Sequence, residues 1–224
     1  MKKWISRGIL CLLAPAVVIG GACLFPGRRW VWVSLCVVLL ACTAVFLRFE
    51  RKPADAKRLI LIAAMTALSV LGRILFAPIP SFKPVTAMVV ITAMYFGSEA
   101  GFLTGALSAI LSNIWFGQGA WTPFQMFAWG FVGFLAGLLA SPLKKSRLLL
   151  AVYGVLSGVL YSFLMDIWTV LFMDGYFNLP RYLAAIISAA PVTATYAVSN
   201  VIFLLLLAPP IGRILTRIKT KYAL

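Results

Sequence analysis

The chain contains no histidine and only 5 acidic residues, and each shortage removes a class of function. Without imidazole there is no Ser–His or Cys–His nucleophile pair, and the commonest metal ligand and neutral-pH proton shuttle is missing. The 4 cysteines, Cys11, Cys23, Cys36 and Cys42, all fall in the first two apolar runs without a Cys-x-x-Cys pair. That leaves no zinc ligand set, and apolar filler is their expected role. No Gly-x-x-x-x-Gly-Lys-Ser/Thr loop occurs, so the chain does not itself hydrolyse ATP. Enzymes that act on lipid phosphates need several polar catalytic groups near one interface, and this chain has almost none. No catalytic residue, metal or cofactor is expected.

What is present is apolar. Hydrophobic residues make up 63% of the chain, charged residues 11%, and mean hydropathy is +1.03. This composition describes a polytopic, all-α integral membrane protein. Eight apolar spans are expected: 8–25, 29–47, 59–77, 84–96, 100–116, 122–140, 148–173 and 182–208. A helix rises 1.5 Å per residue and needs roughly 20 residues to cross the hydrocarbon core. The span 84–96 is short by that measure and must sit among neighbours or in locally thinned bilayer. The first span, behind Lys2, Lys3 and Arg7, imitates a signal peptide ending at Gly20-Gly21-Ala22-Cys23. Gly20 replaces the large aliphatic residue a lipidation site wants, so a retained span is expected.

The 20 Lys and Arg set the orientation. With the N-terminus inside, the inner segments hold 15 basic residues and the outer segments hold Arg28, Arg29, Arg73, Lys83 and Arg181. Both termini are then cytoplasmic. The excess of positive charge sits at span ends, where topology and anionic lipid account for it, and nucleic acid is not an expected partner. On this reading the outer side lacks a cationic cluster, which disfavours a highly phosphorylated ligand.

Small residues mark helix contacts. Gly101, Gly105 and Ala109 recur at four-residue spacing, as do Gly154 and Gly158, and Gly130, Gly133 and Gly137 lie on the span between them. These suit close packing within the chain. Ala63-x-x-x-Ala67 lies just after a charged linker, where a partner subunit rivals that role.

The candidate binding segment is SNIWFGQGAWTPFQMFAWG, Ser112 to Gly130. Its rings stack and its amides donate and accept hydrogen bonds, which suits capture of a small molecule, although an aromatic belt at headgroup level would also use tryptophan. Trp121, Gln125 and Trp129 share one helical face. Thr122, Pro123 and Gln125 also read as the start of a helix with a capping box. The other outer connectors are Ala77–Pro84, stiffened by three prolines, and Met173–Arg181. Asp166 is the one carboxylate well inside a span, flanked on its face by Ser162 and Thr169, and intramembrane carboxylates are functional candidates. Thr193, Tyr196 and Asn200 share a stripe, Tyr196 within reach of an outer pocket and Asn200 suited to a helix–helix hydrogen bond.

Three segments carry a family resemblance: Ala63-x-x-x-Ala67, SFKPVTAMVVITAMYFGSEAGFLTGALSAILSN (Ser81–Asn113) and FGQGAWTPFQMFAWGFVGFLAG (Phe116–Gly137). Residues 55–224 resemble the substrate-binding S components of energy-coupling factor (ECF) transporters, which import vitamins into bacteria. The resemblance implies a six-helix S-component core at 55–224, and residues 1–54, with two further N-terminal transmembrane helices and a basic linker, depart from that pattern. It implies a vitamin ligand, a membrane coupling subunit contacted through Ala63 and Ala67, two cytoplasmic ATPases, and a multi-pass place in the bacterial inner membrane. The middle block looks most like the cobalamin branch, and riboflavin or another small vitamin is the alternative. The expected ligand-facing residues are Asn113, Trp115, Gln118, Trp121, Gln125, Trp129, Tyr161, Asp166, Tyr176, Asn178 and Tyr196. A proton-coupled secondary transporter using Asp166 and a ligand-free assembly factor are the rival classes.

Overall fold

The computed structural model describes residues 56–222, together with Leu39 and Cys42. The expected spans at 8–25 and 29–47 and the linker before Asp55 lie outside the described residues, except at those two positions. Among residues 56–222 seven helices occur in order: α1 Ala56–Leu75, α2 Val85–Phe96, α3 Ser98–Phe116, α4 Thr122–Leu138, the short α5 Ala140–Lys145, α6 Arg147–Asp174 and α7 Leu179–Tyr222. No strand occurs among the described residues. Leaving α5 aside, successive helices alternate in direction between two ends of a bundle. One end carries the connections at 76–84, 117–121 and 175–178; the other carries Gly97, α5 and the end of α7.

Helix α2 is the hub. It is only 12 residues long, about 18 Å at the usual rise, and nearly all of its side chains are buried. It packs against every other described helix. An apolar helix with no polar face has no water-facing side to present and is enclosed by its neighbours. This is how the short span expected at 84–96 is accommodated. By length and composition α1, α6 and α7 can cross a membrane, whereas α2 and α4 are apolar but shorter.

Helix α2 passes to α3 through Gly97 alone, at φ 91° and ψ 174°. That backbone region belongs to glycine, since a Cβ would collide with the chain. Ser98 and Glu99 therefore start α3 instead of forming a looser connector. α4 ends at Leu138, two residues early, because the chain turns into α5. α7 runs well past its expected end at 208. Pro209 and Pro210 lie inside it, so each removes an amide donor without stopping the helix. The far end is held by Lys219, which donates to the Tyr95 carbonyl at 3.3 Å, and by Lys57, which donates to the Tyr222 carbonyl at 3.4 Å.

The glycines on α3 and α4 are internal packing devices, as their spacing predicts. A Cβ on Gly105 would lie 2.5 Å from the Trp129 carbonyl, and one on Gly101 would lie 2.7 Å from the Gly133 carbonyl oxygen. Gly158 meets the Ala197 backbone of α7 in the same way. Two buried clusters result. One is rich in rings, with Phe124, Phe127, Trp129, Phe131, Tyr161 and Trp168 between α4 and α6. The other is aliphatic and surrounds α2. Gly105→Val should therefore force α3 from α4 and cost about 1–3 kcal/mol. Its thermal denaturation in detergent should fall by several degrees, and an unchanged midpoint would contradict this helix contact.

Candidate functional site

A buried cation organises one end of the bundle. Arg73 comes from the last turn of α1, where a positive charge complements the helix dipole, yet it is only 9% exposed. Its guanidinium lies 4.6 Å from the Phe116 ring centre and 5.1 Å from that of Trp129. Its Nη1 donates to Ser112 Oγ and, at 2.9 Å, to Asn113 Oδ1.

The Arg73 bond dictates the polarity of the bonds beyond it. A guanidinium can only donate, so the Asn113 oxygen must face it and the Asn113 amide nitrogen must face away. That nitrogen donates to Gln125 Oε1 at 2.8 Å and to Thr122 Oγ1 at 3.0 Å. Gln125 is turned in the same sense and donates from Nε2 to the Tyr161 hydroxyl at 3.0 Å. On the other branch Thr122 donates to Gln118 Oε1 at 3.0 Å, and Gln118 Nε2 donates to the Ile110 carbonyl at 2.7 Å. The donors run outward from Arg73 through α3 and α4 to α6. Hydrogen bonds aligned this way reinforce one another in a low-dielectric interior.

Three rings continue the line. Trp129 stacks on Tyr161 with centroids 5.1 Å apart at 16°, and Tyr196 meets Tyr161 edge-on at 5.3 Å. Lys83 Nζ sits 5.5 Å from the Tyr196 ring centre. The Lys83 backbone is held by Ser199, which accepts from Lys83 N at 2.9 Å and donates to its carbonyl at 3.2 Å. Phe76 and Phe82 pack with Phe203 of α7, each centroid 5.0 Å from it, and pin the 76–84 connection in place. Ser81 takes a left-handed backbone, φ 61°, immediately before Phe82.

Asn113, Gln125, Trp129, Tyr161 and Tyr196 are thus brought together, and the other expected site residues fall elsewhere. Trp115, 71% exposed, and Trp121 lie on the outside of the bundle. Gln118 is exposed and braces the 117–121 connection. Tyr176 is exposed in the α6–α7 turn, and Asn178 Oδ1 accepts from Arg181 N at 3.3 Å, capping α7. Asp166 is buried on the side of α6 that meets α7, and its Oδ2 has no hydrogen-bond partner. Its expected partners are committed: Ser162 bonds Thr193 at 2.6 Å and Thr169 donates to the Met165 carbonyl at 3.2 Å.

Three further expectations are corrected. α4 has no capping box, because the Gln125 side chain turns inward to Asn113 and Tyr161 and no side chain caps the helix. The amides of Asn113, Gln118 and Gln125 do not stand free for a ligand's amides, since both ends of each are bonded within the chain. Nor is this end of the bundle without cations. Arg73 and Lys83 flank one ring stack, a convergence hidden from sequence because 10 positions and a turn separate them. The signal that could have found Arg73 was its place in the last turn of a helix without another charge from Leu59 onward, directly before a proline-stiffened connector.

The chain matches the family model described as ECF-type riboflavin transporter, S component, over residues 54–217. The chain belongs to that family. S components are substrate-binding transport subunits and not enzymes, and membership implies a vitamin ligand and an energy-coupling module as partner. The cobalamin assignment finds no support in this match. No curated protein and no solved structure matches the S component.

Burial, and then the neighbouring Arg73 charge, hold the Lys83 ammonium down at about 8, against an ordinary value of 10.5. Between those values the unfolded chain binds more protons than the folded one, so folded-state stability rises with pH across that window. The denaturation midpoint should therefore rise from pH 8 toward 10.5 in the S component and rise less in Lys83→Met. Equal slopes in the two proteins would show that Lys83 is not the group responsible.

Proposed function

We propose that this S component is the high-affinity binding subunit of an ATP-driven ECF importer whose ligand is a flavin or a similarly flat heteroaromatic vitamin. The observation that carries the reading is the Trp129–Tyr161–Tyr196 ring stack joined to the chain of bonds that starts at Arg73. Aromatic rings grouped with a few fixed polar groups suit recognition of a planar ring whose edge carries nitrogen and oxygen. Cobalamin, the first expectation from sequence, would have to pair its amide rim with side chains already bonded at both ends within the chain. The family description, which names riboflavin, points the same way.

In the proposed arrangement the six long and short core helices are preceded by two further spans, both termini are cytoplasmic, and the Arg73 end faces outward. Ligand enters from outside between the connections at 76–84, 117–121 and 175–178. Asn113, Gln125, Trp129, Tyr161 and Tyr196 line the site. Trp115, Gln118, Trp121, Tyr176 and Asn178 belong to its rim. Asp166 orders the α6–α7 side instead of relaying protons, since a relay strings several ionisable groups across the membrane and Asp166 is the one carboxylate well inside a span.

Titration calorimetry of the full chain in nanodiscs, across a vitamin panel, decides the ligand. Riboflavin should bind, and Tyr161→Phe should weaken it by about tenfold, as expected for one lost hydrogen bond in a buried site. Cobalamin binding without riboflavin binding would reverse the assignment.

The coupling subunit is proposed to dock on Ala63 and Ala67. Both are exposed on α1, beside Ile60, Ala64, Leu68 and Leu71, so neither is buried against the other described helices. Small residues on an exposed apolar face allow a second helix to approach closely. Ala63→Trp with Ala67→Trp should abolish co-purification of the coupling subunit and ATPases while ligand binding survives. Normal assembly of that variant would assign the face to lipid.

A further inference from the structure

We infer that the ligand carries an acidic group, a carboxylate or a phosphate, that is held between Arg73 and Lys83. This deepens the proposed function and rests on its placing the ligand at the ring stack. The two cations bracket that stack. Arg73 lies over Trp129 at 5.1 Å, Lys83 lies over Tyr196 at 5.5 Å, and Tyr161 contacts both of those rings. Neither cation has an acidic partner among the described residues. Asp174 is paired with Arg181 at 2.7 Å, Asp166 lies between α6 and α7, and Glu99 starts α3 at the opposite end of the bundle.

What Arg73 does contact is neutral: a hydroxyl, an amide oxygen and two rings. Its Nε is buried with no partner at all. A buried guanidinium with one N–H unanswered and a second cation nearby is an unfavourable arrangement unless an anion completes it. Removing water strengthens that attraction, and Arg presents its donors in a fork that matches a carboxylate or phosphate. Burial together with the Arg73 charge also weakens the hold of Lys83 on its proton, as two cations without a counter-ion would. Asn113, Gln118 and Gln125 are each bonded at both ends within the chain, and the cationic donors left for a ligand are Arg73 Nε and Lys83 Nζ.

The test compares acidic and neutral partners of the same ring system. Full-length protein in neutral-lipid nanodiscs is titrated with riboflavin, riboflavin 5′-phosphate and a flavin bearing N10-carboxymethyl. Nicotinate against nicotinamide and pantothenate against panthenol form two non-flavin pairs. The acidic member should bind about ten- to hundredfold more tightly, the range expected for a charge-assisted hydrogen bond. The carboxymethyl and phosphate arms then separate the two acids. Arg73→Gln removes the anchor of Asn113 and can unfold the site, so Lys83→Gln is the decisive variant. It should lower affinity for the acid about tenfold more than affinity for its neutral partner. Neutral members binding as tightly as acids, an acid preference that survives Lys83→Gln, or no binding by folded protein would each overturn the inference. Flavin binding without acid preference rejects the inference and keeps the flavin reading. Acid preference confined to a non-flavin pair does the reverse.

Discussion

One buried positive charge determines the arrangement of this end of the molecule. Because a guanidinium has no acceptor, Arg73 leaves the side chains around it one orientation each. Asn113 must turn its oxygen toward α1, and Gln125 must then accept from Asn113 and donate to Tyr161. Four helices, α1, α3, α4 and α6, are registered by three consecutive bonds. A one-residue slip of any of them would leave a buried amide or the guanidinium without a partner, at a cost of about 1–3 kcal/mol for each neutral group. The apolar contacts elsewhere hold the helices together, but greasy surfaces tolerate sliding, and it is the polar chain that specifies position.

The same logic explains why glycine gathers on α3 and α4. Asn113 and Gln125 can meet only if their backbones come close, and Gly101, Gly105 and Gly133 remove the side chains that would hold the two helices apart. In lipid there is no hydrophobic drive between helices, so close backbone contact and buried hydrogen bonds carry the association together. The small-residue pattern and the polar network are two halves of one device, the first setting the separation and the second the register.

Much of this was legible in the sequence. Helices 59–77, 84–96, 100–116 and 148–173 were readable from their apolar runs, because Gly97, Pro84 and Gly175 punctuate them with distinct backbone demands. The end of α7 was not, because Pro209 and Pro210 look like a stop and the structure continues through them. Asn113, Gln125, Trp129, Tyr161 and Tyr196 were among the eleven residues expected to face a ligand, but nothing in the sequence set these five apart from the other six. What could not be read was which partner each amide takes. Gln125 fits a capping box and an inward bond equally well by spacing, and only the placement of Asn113 across the α3–α4 contact decides between them. Arg73 was counted as an ordinary flanking charge for the same reason: its neighbours come from α3 and α4, 39 positions and more away.

The consequence for binding lies in the order in which donors and acceptors are used up. In the proposed site the amides of Asn113, Gln118 and Gln125 are bonded at both ends within the chain, which leaves fewer donors and acceptors for a ligand's amides. Its selectivity must come from the groups that the folded chain leaves unanswered. In the proposed site those groups are the positive charges of Arg73 and Lys83, since the faces of Trp129 and Tyr161 are buried against each other. Asp166 illustrates the contrast. Its unpartnered oxygen sits on the α6–α7 side, where α7 carries Pro191 within the helix and the nearby hydroxyls of Ser162 and Thr193 bond one another instead of the carboxylate. Asp166 is therefore kept apart from Arg73 and Lys83, and the cations beside the ring stack have no acidic partner among the described residues. A fold that separates its buried charges in this way retains their attraction for a ligand, because neither is neutralised from within.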